Sequence, residues 1–371
     1  MQTIYGPENG CYKVIVDILD KCSAYKPMIV CDQAYEFLPL KRFLDCLPIS
    51  TVKFSDFESN PQYESVVLGV KLFRQENCDF IIAVGGGSAI DVAKCIKLYF
   101  KMSQDVNFLK QKMEDTKVPL IALPTTAGTG SESTQYAVIY YDGEKQSVTH
   151  DSILPDYVIL EPSVLISLPL FQKKCTMLDA LCQGIESWWS VNSTEESKKY
   201  SQKAVQLIID NWEKYIFEND CEASKKIMCA ANYAGRAINI TQTTASHAMS
   251  YKITSLYNVP HGYAVALCLP RLWTYMLGNL NKVIDGRGKD YLYAIFKDIA
   301  KAMGCDNIDA AIMYFEQMME KLKLSMTVSQ QNDDDLKALV SSVNSVRLRN
   351  NPVLLAAEDF EILYKEIVHE S

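Results

Sequence analysis

Residues Asp79–Lys94, Asp-Phe-Ile-Ile-Ala-Val-Gly-Gly-Gly-Ser-Ala-Ile-Asp-Val-Ala-Lys, constrain the fold more than any other stretch of this chain. The apolar, β-branched run Phe80–Val84, bounded by glycine, reads as a strand covered on both faces, as in a parallel sheet. Gly85, Gly86 and Gly87 remove three successive β-carbons from the turn, so its backbone N–H groups can approach an anion closely. Ser88 is read as the cap of a following helix, whose N-terminus carries partial positive charge and free donors. Such a turn suits a phosphate and, with a second element, a nucleotide. A tight strand-to-helix turn without a ligand would use the same residues, because the spacing is not G-x-G-x-x-G.

The flanking sequence extends this pattern. Lys26–Asp32 is a short apolar strand ending in a carboxylate, and Thr51–Phe54 is another. Asn60-Pro61 is read as opening a helix to about Glu76, with Pro61 where its missing N–H costs nothing. The helix from Ser88 reaches about Phe100, and the strand Lys117–Pro124 leads into Thr125-Thr-Ala-Gly-Thr-Gly-Ser-Glu132, a second loop of small and hydroxyl residues. Strands alternating with helices make a doubly wound parallel sheet, which binds ligands at the carboxyl ends of its strands. Beyond Leu160-Glu-Pro162 helical periodicity takes over, most clearly in Glu196–Phe217, Ser224–Ile240, Asp309–Leu322 and Asp333–Val343. The expected organisation is an α/β nucleotide-binding domain over residues 1–162 and an all-α domain over 163–371. Gln330–Asp335 is expected to be a solvated loop and helix start.

Composition narrows the function. With 371 residues, 48% of them apolar and 22% charged, the chain has room for two globular domains. No apolar run is long enough to cross a bilayer, and Met1-Gln-Thr-Ile-Tyr lacks the regions of a signal peptide, so a cytoplasmic location is expected. Twelve scattered cysteines without a C-x-x-C pair are expected to be mostly buried free thiols. A net charge of −8 with no basic run argues against nucleic acid or anionic membrane as partner, and an anionic ligand would need cations placed locally.

Two of the four histidines, His247 and His261, bracket one segment, and Pro260 and Gly262 would hold His261 on a stiff turn. Imidazole is the commonest metal ligand, and Asp179, placed near the start of a helix, is the candidate third donor. The same residues also read as two core histidines and a helix cap.

Five ordered motifs then resemble the iron-containing (group III) alcohol dehydrogenases over nearly the whole chain: Gly85–Lys94, Pro124–Glu132, Leu154–Pro162, Asp179-Ala-Leu and Pro260-His-Gly262. The resemblance implies a dehydroquinate synthase-like architecture, a cleft where a metal and the nicotinamide meet, and a homodimer. Gly86, Gly87 and Ser88 would hold the pyrophosphate with Asp91 lining the turn, Thr125, Thr126, Thr129 and Ser131 the nicotinamide side, and Lys145 the ribose. Asp32, at the end of its strand, can accept from the adenosine ribose hydroxyls and repel a 2′-phosphate, giving NAD(H) over NADP(H), or it merely caps the following helix.

The family's metal is held by an aspartate, a histidine four residues on, and two histidines fourteen apart. Asp179, His247 and His261 match, but the second position is Gln183, whose carbonyl is a weaker ligand for Fe²⁺ or Zn²⁺ than imidazole. Tyr251 stands where many relatives place a further histidine; it either orients substrate and passes a proton through water, or packs. The implied reaction is hydride transfer from a reduced nicotinamide to a small aldehyde, with the metal as Lewis acid and His247 and Tyr251 as the catalytic side chains.

Glu186–Ser197, Gly235–His247 and Asn350–Pro352 are most similar to the branch that reduces phosphonoacetaldehyde to 2-hydroxyethylphosphonate. For its phosphonate, Arg236, Thr243, Thr244 and Lys252 are the expected partners, Arg236 sharing a face with His247 if the helix runs on through the threonines. The alternatives are a reductase of a neutral short-chain aldehyde, a polyol dehydrogenase, and a nucleotide-binding protein that lost catalysis through Gln183.

Overall fold

The computed structural model describes residues 2–330, 332, 334–343 and 348–369. They pack as two compact units, Met1–Pro169 with Phe217–Gly235, and Leu170–Ile216 with Arg236–Ser371.

The first unit is built on a six-stranded sheet of β1 (Thr3–Tyr5), β2 (Pro27–Cys31), β3 (Val52–Phe54), β4 (Phe80–Gly85), β5 (Leu120–Pro124) and β8 (Tyr157–Ile159), in the order β1-β8-β5-β4-β2-β3. Every pairing in it is parallel. All residues of β2, β4 and β5 are buried, as expected of strands covered on both faces. Each fully buried Ile or Val there contributes roughly 1.5–3 kcal/mol. The chain leaves β2 for β3 on one side and returns to β4 on the other, so the topological switch lies at the carboxyl ends of β2 and β4. Asp32 follows the first of these strands and Gly86 the second.

A separate antiparallel hairpin, β6 (Tyr136–Tyr141) and β7 (Glu144–Thr149), was not legible as a pair. It also moves a helix start. Pro61 and Gln62 are drawn to β6, where the Tyr140 amide donates to the Pro61 carbonyl at 2.8 Å, so the helix begins at Tyr63. Tyr157–Ile159 and Thr3–Tyr5 are three-residue strands, too short for periodicity to mark. Within this unit the Cys221–Thr241 helix touches the second small-residue loop backbone to backbone: a β-carbon on Gly235 would stand 2.6 Å from the Gly130 carbonyl oxygen. Asn232, one turn earlier, donates to the Glu132 carboxylate at 3.1 Å and to the Ser133 hydroxyl at 2.6 Å.

Among its described residues the second unit is helical apart from the two-residue pairing of Val328–Ser329 with Val368–His369 and a single bridge between Val283 and Val353. Its central element is the helix Leu170–Trp189, buried without a break from Met177 to Trp189. Trp189, Trp273 and Phe296 pack edge to face around its end, with centroids 5.7 and 5.9 Å apart from Trp189. The predicted helices appear at Glu195–Glu213, Cys221–Thr241 and Ile308–Lys321. The expected helix from Asp333 begins at Asp335, while Gln331 and Asp333 of the acidic run lie outside the described residues. No described helix is long and apolar enough to cross a membrane.

Candidate active site

Asp179 lies ten residues into its helix rather than near the start, so it caps nothing. Asp179, Gln183 and Glu186 follow one another at helical spacing within a largely apolar, fully buried stretch. A stripe of three buried polar groups must find partners, because each unpaired one costs several kcal/mol. The partners come from two helix starts. His247 is the third residue of the helix Ala245–Tyr257, and His261 is the first residue of His261–Gly278 with Pro260 as its N-cap. Ligand atoms of Asp179, His247 and His261 all lie within 4.8 Å of one another.

The hydrogen bonds around this cluster decide which nitrogen each imidazole presents. Glu186 Oε2 meets His247 Nδ1, and a carboxylate can only accept, so Nδ1 carries the proton. His247 Nε2 then points at Asp179 Oδ1, 3.3 Å away, and both atoms are buried without a hydrogen bond. Ser250 donates its one proton to the His247 carbonyl at 2.9 Å, so toward His261 Nδ1, at 3.5 Å, it is an acceptor. The His247 ring therefore turns Nε2 toward the Asp179 carboxylate. A buried carboxylate oxygen and imidazole nitrogen, with a second, half-buried imidazole beside them, fit a divalent cation such as Fe²⁺ or Zn²⁺.

The charges around His247 favour a cation at this place. Burial opposes protonation of His247, but the Glu186 and Asp179 carboxylates override it and raise its pKa to about 9. Burial would lift Asp179 and Glu186, yet His247 and its neighbours hold both below the usual carboxylate range. Gln183, fully within the buried stretch, also bonds toward Asp179. The Tyr251 ring lies parallel to that of His261, with centroids 5.5 Å apart.

The first unit places its cofactor candidates at the switch point. Ser88 is not the cap: the helix is Gly87–Tyr99, its N-cap is Gly86, and no side chain caps it. Gly85 is required by the protein itself, since a β-carbon there would meet Ala89 at 2.6 Å, and one on Gly87 would crowd the Thr129 side chain at 3.0 Å. Gly86 is different. A β-carbon on it would come no closer than 3.6 Å to anything, Thr126 being nearest, and Gly86–Ser88 are partly exposed. A partly exposed helix start whose N-cap is a glycine fits a pyrophosphate.

Asp32 caps the turn that follows its strand and also faces the glycine turn. Its Oδ1 accepts from the Ala34 amide at 3.0 Å, and its Oδ2 lies 3.5 Å from the Gly86 amide. Thr125 continues the β4–β5 ladder by donating to the Gly85 carbonyl. Asp91 and Ser131 are spent on each other, at 2.5 Å, and Asp91 also accepts from the Val138 amide at 2.9 Å, so this carboxylate braces the loop beneath the turn. Burial raises the Asp91 carboxyl above the usual carboxylate range, with Lys94 and, more weakly, Lys145 of β7 acting the other way. Sequence reasoning missed Lys94, which is fully buried and donates to Ser131, Thr134 and the Tyr136 carbonyl at 3.1, 3.1 and 2.6 Å.

The expected phosphonate partners are scattered. The helix stops at Thr241, Gln242 takes φ +58°, and a new helix starts at Ala245, so Arg236 and His247 share no helix face. Arg236 instead stacks on Tyr200 at 4.1 Å and donates to its hydroxyl at 2.5 Å. Thr244 gives its only hydroxyl proton to Glu186 at 2.6 Å and accepts from Trp189 at 2.9 Å, which removes it as a donor to an anion. Thr243 is buried, its carbonyl held by Asn350 at 3.2 Å, and Lys252 is half-buried five residues beyond His247.

The family profile "Iron-containing alcohol dehydrogenase" matches residues 3–162, and "Fe-containing alcohol dehydrogenase family, C-terminal" matches residues 174–368. The chain belongs to the iron-containing alcohol dehydrogenase family. It is 34% identical over 237 residues to aldehyde-alcohol dehydrogenase 2 of Entamoeba histolytica, covering 60% of this chain and 27% of that protein. It is 31% identical over 275 residues to the phosphonoacetaldehyde reductase of Streptomyces viridochromogenes, covering 71% of this chain and 69% of the other. The chain spans 40% of the aldehyde-alcohol dehydrogenase of Streptococcus pneumoniae. Among solved structures, sulfoacetaldehyde reductase from Bifidobacterium kashiwanohense in complex with NAD⁺ superposes with a TM-score of 0.88 at 26% identity, covering 98% of this chain and 96% of that one.

Proposed function

We propose that this protein reduces a small aldehyde to a primary alcohol with a reduced nicotinamide cofactor at a divalent metal centre. The observation that carries the proposal is the convergence of Asp179, His247 and His261 within 4.8 Å. These three residues would hold Fe²⁺, with Zn²⁺ the alternative and Gln183 as a further oxygen donor. When bound, such an ion supplies Lewis-acid polarisation of a carbonyl oxygen. Gly86, Gly87 and Ser88 seat the pyrophosphate, Thr126 and Thr129 line the turn, and Asp32 selects NAD(H). Tyr251 orients the substrate beside His261. A cytoplasmic homodimer completes the proposal.

The finer reading is phosphonoacetaldehyde. It is supported by likeness to the Streptomyces enzyme and to a sulfoacetaldehyde reductase, whose names both describe two-carbon aldehydes bearing an anionic group. Lys252, half-buried five residues beyond His247, is its candidate cation. A neutral short-chain aldehyde is the second reading, favoured by the commitment of Arg236 to Tyr200 and of Thr244 to Glu186. NADH oxidation by the Fe²⁺-loaded protein with phosphonoacetaldehyde, sulfoacetaldehyde and propanal decides between them. A kcat/KM at least tenfold higher for phosphonoacetaldehyde is expected. A preference for propanal would leave the second reading, and no turnover of any aldehyde would overturn the enzyme assignment.

A further inference from the structure

One oxygen of Glu186 occupies the start of the helix that carries His247. Glu186 Oε1 accepts from the Thr244 hydroxyl at 2.6 Å and from the amides of Thr244, Ser246 and His247 at 3.2, 3.0 and 3.4 Å. Its side chain is wholly buried, and the other oxygen faces His247 Nδ1. Four donors at a helix N-terminus fix this carboxylate in place and in charge. With Oε1 taken, Oε2 is left to face the ring, and Oε2 can only accept.

We infer that Glu186 is a positioning residue for the metal centre: it sets the His247 tautomer, so that Nδ1 keeps the proton and Nε2 offers its lone pair beside Asp179. This rests on the reading of Asp179, His247 and His261 as metal ligands. Partners of this kind orient a ligating imidazole and raise its basicity. The amide of Gln at position 186 has nearly the same shape but the opposite polarity at one end. Its oxygen would stay with the four donors, leaving its NH₂ against Nδ1. A donor there favours a bare Nδ1 and a protonated Nε2, which points the wrong nitrogen at the ion.

The test uses the full chain, stripped of metal with a chelator and titrated with Co²⁺, whose absorption reports binding without turnover. Glu186→Gln should weaken Co²⁺ binding about 10- to 100-fold, while NADH binding changes less than twofold. An affinity for Co²⁺ within twofold of wild type would overturn the inference. A second measurement needs no variant: in Zn²⁺-loaded protein labelled with ¹⁵N-histidine, His247 should show a protonated Nδ1 and a coordinated Nε2. The reverse pattern would overturn the role of Glu186 and leave the metal centre standing. Failure of wild-type protein to take up Co²⁺ or Zn²⁺ would overturn both.

Discussion

Gly262 is pressed against Asp179: a β-carbon on the glycine would stand 2.7 Å from that of the aspartate and 2.0 Å from the Cys175 carbonyl oxygen. Two helices thus meet with no side chain between them, directly beside His261. Gly262→Ala must push the His261 helix away, costing about 1–3 kcal/mol in overpacking. The expected result is a lower melting temperature and at least tenfold weaker Co²⁺ binding, read by calorimetry and by titration of the same samples.

His261→Ala should remove most bound metal and most aldehyde reduction together, and elemental analysis of purified protein checks the first loss. Gln183→His places an imidazole one helical turn after Asp179, on the same buried face. Metal should then bind about tenfold more tightly, imidazole being a better ligand for these ions than an amide oxygen. Active wild-type protein containing no metal would refute the centre.

NADH should be preferred to NADPH in steady-state kinetics. Asp32→Ala should narrow that preference, because the carboxylate beside Gly86 no longer repels a 2′-phosphate. It should also cost about 1 kcal/mol of stability from the lost cap on Ala34. Unchanged discrimination in the variant would leave Asp32 with the cap alone.

Lys94 gives a pH dependence whose sign is fixed. Burial lowers its pKa from 10.5 to about 8, with Asp91 and Glu132 acting the other way. Between pH 8 and 10.5 the unfolded chain holds the proton and the folded chain does not, so stability rises with pH across that window. Below pH 8 the cost of the buried ammonium is fully present. Relative to Lys94→Met, wild-type protein should therefore gain stability from pH 8 to 10, by an amount on the order of 1 kcal/mol or more. Urea unfolding at a series of pH values measures it, and a flat difference would contradict it.

Thiol reactivity should follow exposure rather than number. All twelve cysteines are free, but only Cys46 and Cys221 are exposed, and Cys31, Cys78, Cys95, Cys175, Cys182 and Cys268 are buried. Burial pushes Cys31 up to about 12 and Cys78 to about 11, so neither supplies thiolate at neutral pH. A thiol reagent at pH 8 should modify two residues of the native protein at once, the four half-buried ones slowly, and the remainder only after unfolding.

The parts of the site that were legible in sequence are those written locally. The glycine turn follows an apolar strand, and Pro260-His-Gly262 announces a stiff turn, so each carries its own context. Glu186 was harder to read. It stands seven residues after Asp179, on the same helical stripe, but its role depends on a helix start 58 residues away in sequence. The place of Arg236 was left open for the opposite reason: it would share a face with His247 only if one helix ran on through the threonines, and a glutamine at φ +58° is a stop that propensity does not foretell. Lys94 looked like one more helix residue, because what it holds is a loop some forty positions downstream.

The Cys221–Thr241 helix carries a consequence for synthesis on the ribosome. The unit that begins the chain includes Phe217–Gly235, and its Gly130 and Glu132 contacts require Gly235 and Asn232. A nascent chain made as far as residue 170 therefore holds the whole parallel sheet but lacks a wall of that unit, residues 217–235, and the Glu132 carboxylate lacks its Asn232 donor. Residues Leu170–Ile216 must be made, and kept from misassociating, before that wall arrives. At about 5–20 residues per second, that wait lasts several seconds. It is the interval in which a chaperone that shields an unfinished sheet would matter most to the yield of this protein.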